Sequence, residues 1–171
     1  MSRIVRSFRS GLALLGLGLC AGLNAGEPAD VRLGAWQESR SSGDFQSLLR
    51  VFEDLGDGLQ RMTVNAKLDE PNRWHVDFRC DGKSYRALTR DGRYTGTRMS
   101  CRRSASRSYE MSFVYEPPEP GVVIAGLPKE RRSAVSIESV SADGERYTTD
   151  VTTTFVNGEA RTVRREFIRR K

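Results

Sequence analysis

The sequence holds one histidine, His75, in 171 residues. It belongs to no Ser/His/Asp order and no zinc-ligand spacing, and no phosphate-binding glycine loop occurs anywhere in the chain. Triad hydrolysis, zinc chemistry and nucleotide chemistry therefore have no support in the residues. His75 falls on the polar side of an alternating run, where a solvated side chain is commoner than a general base. Carboxylates are scattered beside arginines, and nothing selects the pair that a glycosidase would need. Lysine is scarce, at positions 67, 83, 129 and 171 only, so the 28 basic residues are mostly Arg. A helical period is also missing; Gln46–Leu55 comes nearest to one. These absences point to a protein that is not an enzyme and needs no cofactor or metal.

A long apolar run is present only near the start. Residues 1–10 are basic, with Arg3, Arg6 and Arg9 and no acid, residues 11–19 (GLALLGLGL) are apolar, and small residues follow to Ala25. This is the layout of a secretory signal peptide, too short for a stable membrane span. Cleavage is expected after Ala25, leaving one domain over residues 26–171 that is exported to a periplasmic or secreted location. Lipoprotein processing at Cys20 is the rival, disfavoured by the bulky Leu19 before the cysteine. Removing residues 1–25 lowers the net charge from +6 to +3, too little to imply nucleic-acid binding.

Two cysteines remain, Cys80 and Cys101. In an oxidising compartment an even pair suggests a disulfide, worth roughly 3 kcal/mol for a loop of about 20 residues. A strict two-residue turn at Asp91-Gly92 would instead put Cys101 two strands from Cys80 and on the opposite face, beyond bridging reach. Pairing therefore requires a bulge or wider loop near Arg90–Arg93. As metal ligands the two would need partners the sequence does not supply.

Turns are abundant. Asp57-Gly58, Asp81-Gly82, Asp91-Gly92, Asp143-Gly144 and Asn157-Gly158 each separate runs rich in Val, Thr, Tyr and Phe. Such turns at short spacing mark an all-β antiparallel up-and-down meander. In RWHVDFRCDGKSYRAL, a two-residue turn would pair Phe78 with Tyr85, Val76 with Ala87 and Trp74 with Thr89 on a dry face. The wet face would hold His75 and an Asp77–Arg86 pair. A loop at Gly56-Asp57-Gly58 pairs Phe52 with Met62 and Glu53 with Arg61. Residues 26–32 read as a tail, Glu116–Pro120 as an extended loop, and Gly121–Leu127 as a strand. The total is roughly nine or ten strands.

Gly34-Ala35-Trp36 on the first strand, then FEDLGDGLQRMTV, CDGKSY and SADGERYT, resemble small exported bacterial lipocalin-like (calycin-type) β-barrel proteins of uncharacterised role. The lipocalin Thr-Asp-Tyr motif is absent. The resemblance implies a barrel in which Trp36 closes one end and Arg165 or Arg169 packs over it; a plain core role for Trp36 stays open beside this.

Two functions follow. The chain is read first as a binding module for an apolar or amphiphilic small ligand, lined by Trp36, Trp74, Val76, Phe78 and Tyr85. The alternative is an envelope protein-interaction module, such as a hydrolase inhibitor, acting through its loops. The basic ARTVRREFIRRK run reads as a closing strand with Arg on its wet face. It also offers a peripheral contact with anionic envelope components, with Arg102, Arg103, Arg131 and Arg132 as companions.

Overall fold

The computed structural model describes residues 30–39, 48–65, 74–123 and 130–171. Ten strands follow one another in chain order: β1 (Gly34–Glu38), β2 (Leu49–Gly56), β3 (Leu59–Asn65), β4 (Trp74–Phe78), β5 (Tyr85–Thr89), β6 (Tyr94–Ala105), β7 (Ser108–Tyr115), β8 (Arg131–Val140), β9 (Arg146–Phe155) and β10 (Ala160–Arg169). Each pairs antiparallel with its neighbours in sequence, and β1 pairs with β10, so the meander closes into a barrel with no free edge. Closure removes the exposed ladder groups that an open sheet would present. The expected leader, its cleavage site and Cys20 lie outside the described residues.

Alternation decides the inside. Phe52, Met62, Val76, Ala87, Met99, Met111, Ala134, Tyr147 and Phe167 are all buried and belong to one core. The β2–β3 hairpin pairs Phe52 with Met62 and Glu53 with Arg61, as expected, through a slip of the ladder between Asp54 and Gly56. Asp57 and Gly58 both have positive φ there, at 51° and 71°, the signature of a type I′ turn.

The central hairpin departs from its expected register. Trp74 does face Thr89 and His75 faces Leu88, but no further residues of β4 and β5 pair. Residues 79–84 do not make a tight two-residue turn. They swing across to β6, where Asp81 bridges Arg102 and the Gly82 N–H donates to the Cys101 carbonyl at 2.9 Å. Cys80 thereby skips the place of β5 and bonds Cys101, with their Cα atoms 4.3 Å apart. The break in register that the disulfide demands has two parts: a wider loop closed by Thr89 and Arg93, with a slip between Arg86 and Leu88, turns Cys101 to the face of Cys80, and residues 79–84 carry Cys80 across to β6. Asp77 pairs with Arg61 of β3 at 2.6 Å rather than with Arg86, because β4 and β5 have already parted at that level.

Gly121–Leu127 is the other departure. Residues 121–123 form no strand, and 124–127 lie outside the described residues. The Pro-rich segment before them folds back on β6. Glu116 N–H donates to the Gly96 carbonyl and Glu119 N–H to that of Tyr94. Gly96 has φ +78° and sits so close that a Cβ would lie 2.3 Å from the Glu116 oxygen. Only glycine allows that approach, and the β5–β6 ladder slips between Arg86 and Leu88 beside it.

Candidate functional site

The up-and-down order gives the barrel two ends. The C-terminal ends of β2, β4, β6, β8 and β10 gather at one end with the start of β1; those of β1, β3, β5, β7 and β9 gather at the other. Interior residues of β7 run from Tyr109 to Tyr115, about 20 Å at the strand rise, and mark the span between them.

The first end is closed by side chains. Arg169 lies over Trp36, its guanidinium carbon 4.3 Å from the ring centroid, and donates to the carbonyls of Leu33 (2.7 Å) and Gly144 (2.7 Å). Gly34, with φ +115°, makes room, since a Cβ there would meet the Arg169 guanidinium at 2.8 Å. This is the physical content of the Gly-Ala-Trp motif. Of the two partners expected for Trp36, Arg169 takes the role; Arg165 instead binds Glu38 at 2.7 Å.

Residues 30–33 enter the barrel instead of trailing as a tail. Arg32 is fully buried. Its guanidinium donates to Asp30 at 2.7 Å and to Glu138 at 3.1 Å, and it stacks 3.6 Å from the Tyr109 centroid. Glu138, also fully buried, takes Arg50 on its other oxygen at 3.1 Å and the Ser136 hydroxyl at 3.2 Å. Arg50 donates in turn to the Tyr147 hydroxyl at 3.0 Å. Two acids and two arginines thus form one charge-balanced chain through the core. Burial opposes the charge on Arg32, yet Asp30 and Glu138 outweigh it and raise the Arg32 pKa. Burial likewise works to raise Asp30, but the hydrogen bonds and charge of Arg32 hold that carboxyl below its ordinary value. Burial, then the nearby Glu138 charge, pushes the Tyr147 phenol well up, so it stays neutral.

Beyond Arg50 the interior changes character. Register sets Arg50, Val64, Trp74 and Thr89 side by side on β2 to β5. Tyr115, partly buried against the core, lies within the fields of both Arg131 and Arg50. The Nε atoms of Arg50 and Arg131 and the Thr149 hydroxyl are buried with no hydrogen-bond partner. A buried donor without a partner costs about 1–3 kcal/mol, so this region suits a polar guest.

Of the five residues expected to line a ligand, Trp36, Val76 and Phe78 are fully enclosed in the core. Trp36 packs 5.4 Å from Tyr147, and Arg32 lies 5.7 Å from the Phe78 ring. Trp74 and Tyr85 are partly buried against that core; Trp74 stands in the row with Arg50, and the Tyr85 hydroxyl donates to Asp81 at 3.0 Å. His75 points outward across from Thr63. Among the described residues, no group of three or more His, Cys, Asp or Glu could hold a metal ion. The arginines of β10 do not gather into a patch: Arg161 pairs with Glu159, Arg164 with Asp150 and Arg165 with Glu38. Arg102 and Arg103 stand four strands away, on β6.

Sequence reasoning missed Asp30, Arg32, Arg50 and Glu138. A signal existed for two of them. Glu138 occupies an inward position between Ser136 and Val140, and Arg50 one beside Phe52, so each is a charge out of place on a dry face. Arg32 gave none, because it precedes the first strand.

No family model matches the chain, and no curated protein matches it. Among solved structures it is similar to fatty-acid-binding protein 1 of Echinococcus granulosus, with 12% identity and a TM-score of 0.54 over 84% of this chain and 100% of that one. It is also similar to a mutant of the fluorescent protein UnaG, with 11% identity and a TM-score of 0.51 over 82% of this chain and 97% of that one. At such identity the likeness is one of fold.

Proposed function

Proceeding from a calycin-type barrel, we propose that this is an exported, non-enzymatic binding module. It holds an amphiphilic small molecule in the lumen between Trp74 and Tyr115, with an acidic head toward Arg50 and Arg131. The observation that carries this reading is the pair of buried guanidinium Nε atoms without partners. A carboxylate would satisfy them, and hydrogen bonds to charged groups are worth about 1.5–3 kcal/mol. Val64, Trp74 and Val151 supply apolar wall nearby. The name of the Echinococcus neighbour makes a fatty acid the natural first probe. Export rests on the leader-like residues 1–25, and the Cys80–Cys101 bond is in keeping with it.

The test is displacement of a fluorescent fatty-acid probe by a long-chain acid and by the alcohol of the same length, beside native mass spectrometry of the protein from its own source. The acid should bind at least about tenfold tighter than the alcohol, and Arg131→Gln should erase most of that margin. Equal affinity for acid and alcohol, or no binding of either, refutes the reading. One observation favours the second function: the closed half of the barrel is filled by Arg32 and Glu138 rather than hollow. An envelope inhibitor of a hydrolase, acting through its loops, needs no lumen, and a pull-down from envelope extract would retrieve its target whether or not the lumen is loaded.

A further inference from the structure

Outside the closed end lies a depression of about 580 Å³, whose wall includes Cys80, Asp81, Arg79, Arg103 and Tyr109. Cys80 is half-buried there, whereas Cys101 is fully buried. Behind the disulfide stands Arg32, whose Nη2 is 3.3 Å from the Cys80 sulfur and 3.6 Å from that of Cys101. Asp30 and Glu138 fix this guanidinium, which is fully buried. Cys80 therefore faces the depression, and a guanidinium N–H stands within hydrogen-bonding reach of both sulfurs, so the one that departs finds a donor for the charge it acquires.

We propose that Cys80–Cys101 is a thiol-exchange site, opened by a dithiol reductant that enters the closed-end depression. The thiolate of the reductant forms a bond to the Cys80 sulfur as the Cys80–Cys101 bond breaks, and the electron pair leaves on Cys101. The second thiol of the reductant, losing its proton, then attacks its own partner sulfur and releases Cys80 as a thiolate. Two electrons pass to the protein, the reductant ends as a disulfide, and the cysteines take up the two protons it gave. A cation beside the departing sulfur lowers its basicity and speeds its departure. The barrel survives the cut, because residues 79–84 keep the Asp81–Arg102 bridge and the Gly82 to Cys101 hydrogen bond, and every other strand seam is unaffected.

The test uses the folded, oxidised chain at neutral pH without denaturant. Dithiothreitol should reduce the bond while the near-ultraviolet circular dichroism persists, and glutathione should give a mixed disulfide that maps to Cys80. Arg32→Gln should slow reduction about tenfold, with Arg32→Lys intermediate. Reduction only at the rate of global unfolding, an adduct on Cys101, or an unchanged rate in Arg32→Gln overturns the proposal. Should Arg32→Gln not fold, thiolate absorbance of the reduced wild-type protein decides. One thiol ionising below about 8.5 supports the site, and two at or above that value refute it.

Discussion

Replacing Glu138 with Gln removes one charge and almost no volume from the centre of the barrel. The carboxylate is fully buried and accepts from Arg32 at 3.1 Å, Arg50 at 3.1 Å and Ser136 at 3.2 Å. A glutamine carbonyl can satisfy one guanidinium, but its amide turns donors toward the other. The core then holds two arginines against Asp30 alone. Breaking a buried pair in this manner costs about 3–5 kcal/mol, a large part of the roughly 5–15 kcal/mol that keeps a domain folded. In urea, with a slope of about 1–3 kcal/mol per M, the midpoint should fall by at least about 1 M at unchanged slope. Ser136→Ala, which removes a single neutral donor, should cost only about 1 kcal/mol. The double variant Glu138→Gln/Arg50→Gln restores the balance of charge and should lose less than the sum of its parts by about 0.5–3 kcal/mol. A loss below about 1 kcal/mol for Glu138→Gln would refute the reasoning, since it would mean that water reaches the carboxylate and the closed half is not filled by side chains.

Phe78→Ala deletes a fully buried ring and should cost about 3–5 kcal/mol in denaturant melts, while His75→Ala on the outward face should shift stability by less than about 0.5 kcal/mol. The reverse order would mean that the faces of β4 are exchanged. Asp30, held below its ordinary pKa by Arg32 despite burial, lends stability that is complete above the unfolded value of 3.8 and is lost as pH falls through the folded one. Asp30→Asn should therefore flatten the acid limb of a stability–pH curve, and a parallel limb in the variant would remove Asp30 from the account. Intact mass of the protein from its own envelope should begin at Gly26; a diacylated chain beginning at Cys20 would replace export of a free protein with anchoring.

The turns show why so much of the fold was legible. Asp57-Gly58 demands positive φ at two successive positions, a local requirement that places the turn, and the slip between Asp54 and Gly56 beside it completes the Phe52–Met62 pairing. The same holds for β10, whose bounds Ala160–Arg169 emerge from alternation after the Asn157-Gly158 turn. At Asp81-Gly82 the local signal was present and lost. The Cys80–Cys101 bond and the bridge to Arg102 hold residues 79–84 on β6, and tertiary bonding overrode turn propensity. At residues 121–123, which form no strand, the reason is similar: the segment holding Pro117, Pro118 and Pro120 folds back on Tyr94 and Gly96.

Sequence alone determined the all-β meander and the inward faces of Phe52, Val76 and Phe78, because a period of two and the φ of a turn residue are properties of adjacent amino acids; an arginine over Trp36 was implied only by the resemblance to lipocalin-like barrels. Tertiary structure alone decided that Arg32 leaves the apparent tail to meet Glu138, 106 positions away, that Cys80 reaches past β5, and that Arg50 and Arg131 both act on Tyr115. Those contacts depend on barrel closure, which sets strands far apart in sequence face to face across the interior. A charge on a dry face has no stable place until closure brings it a counter-charge.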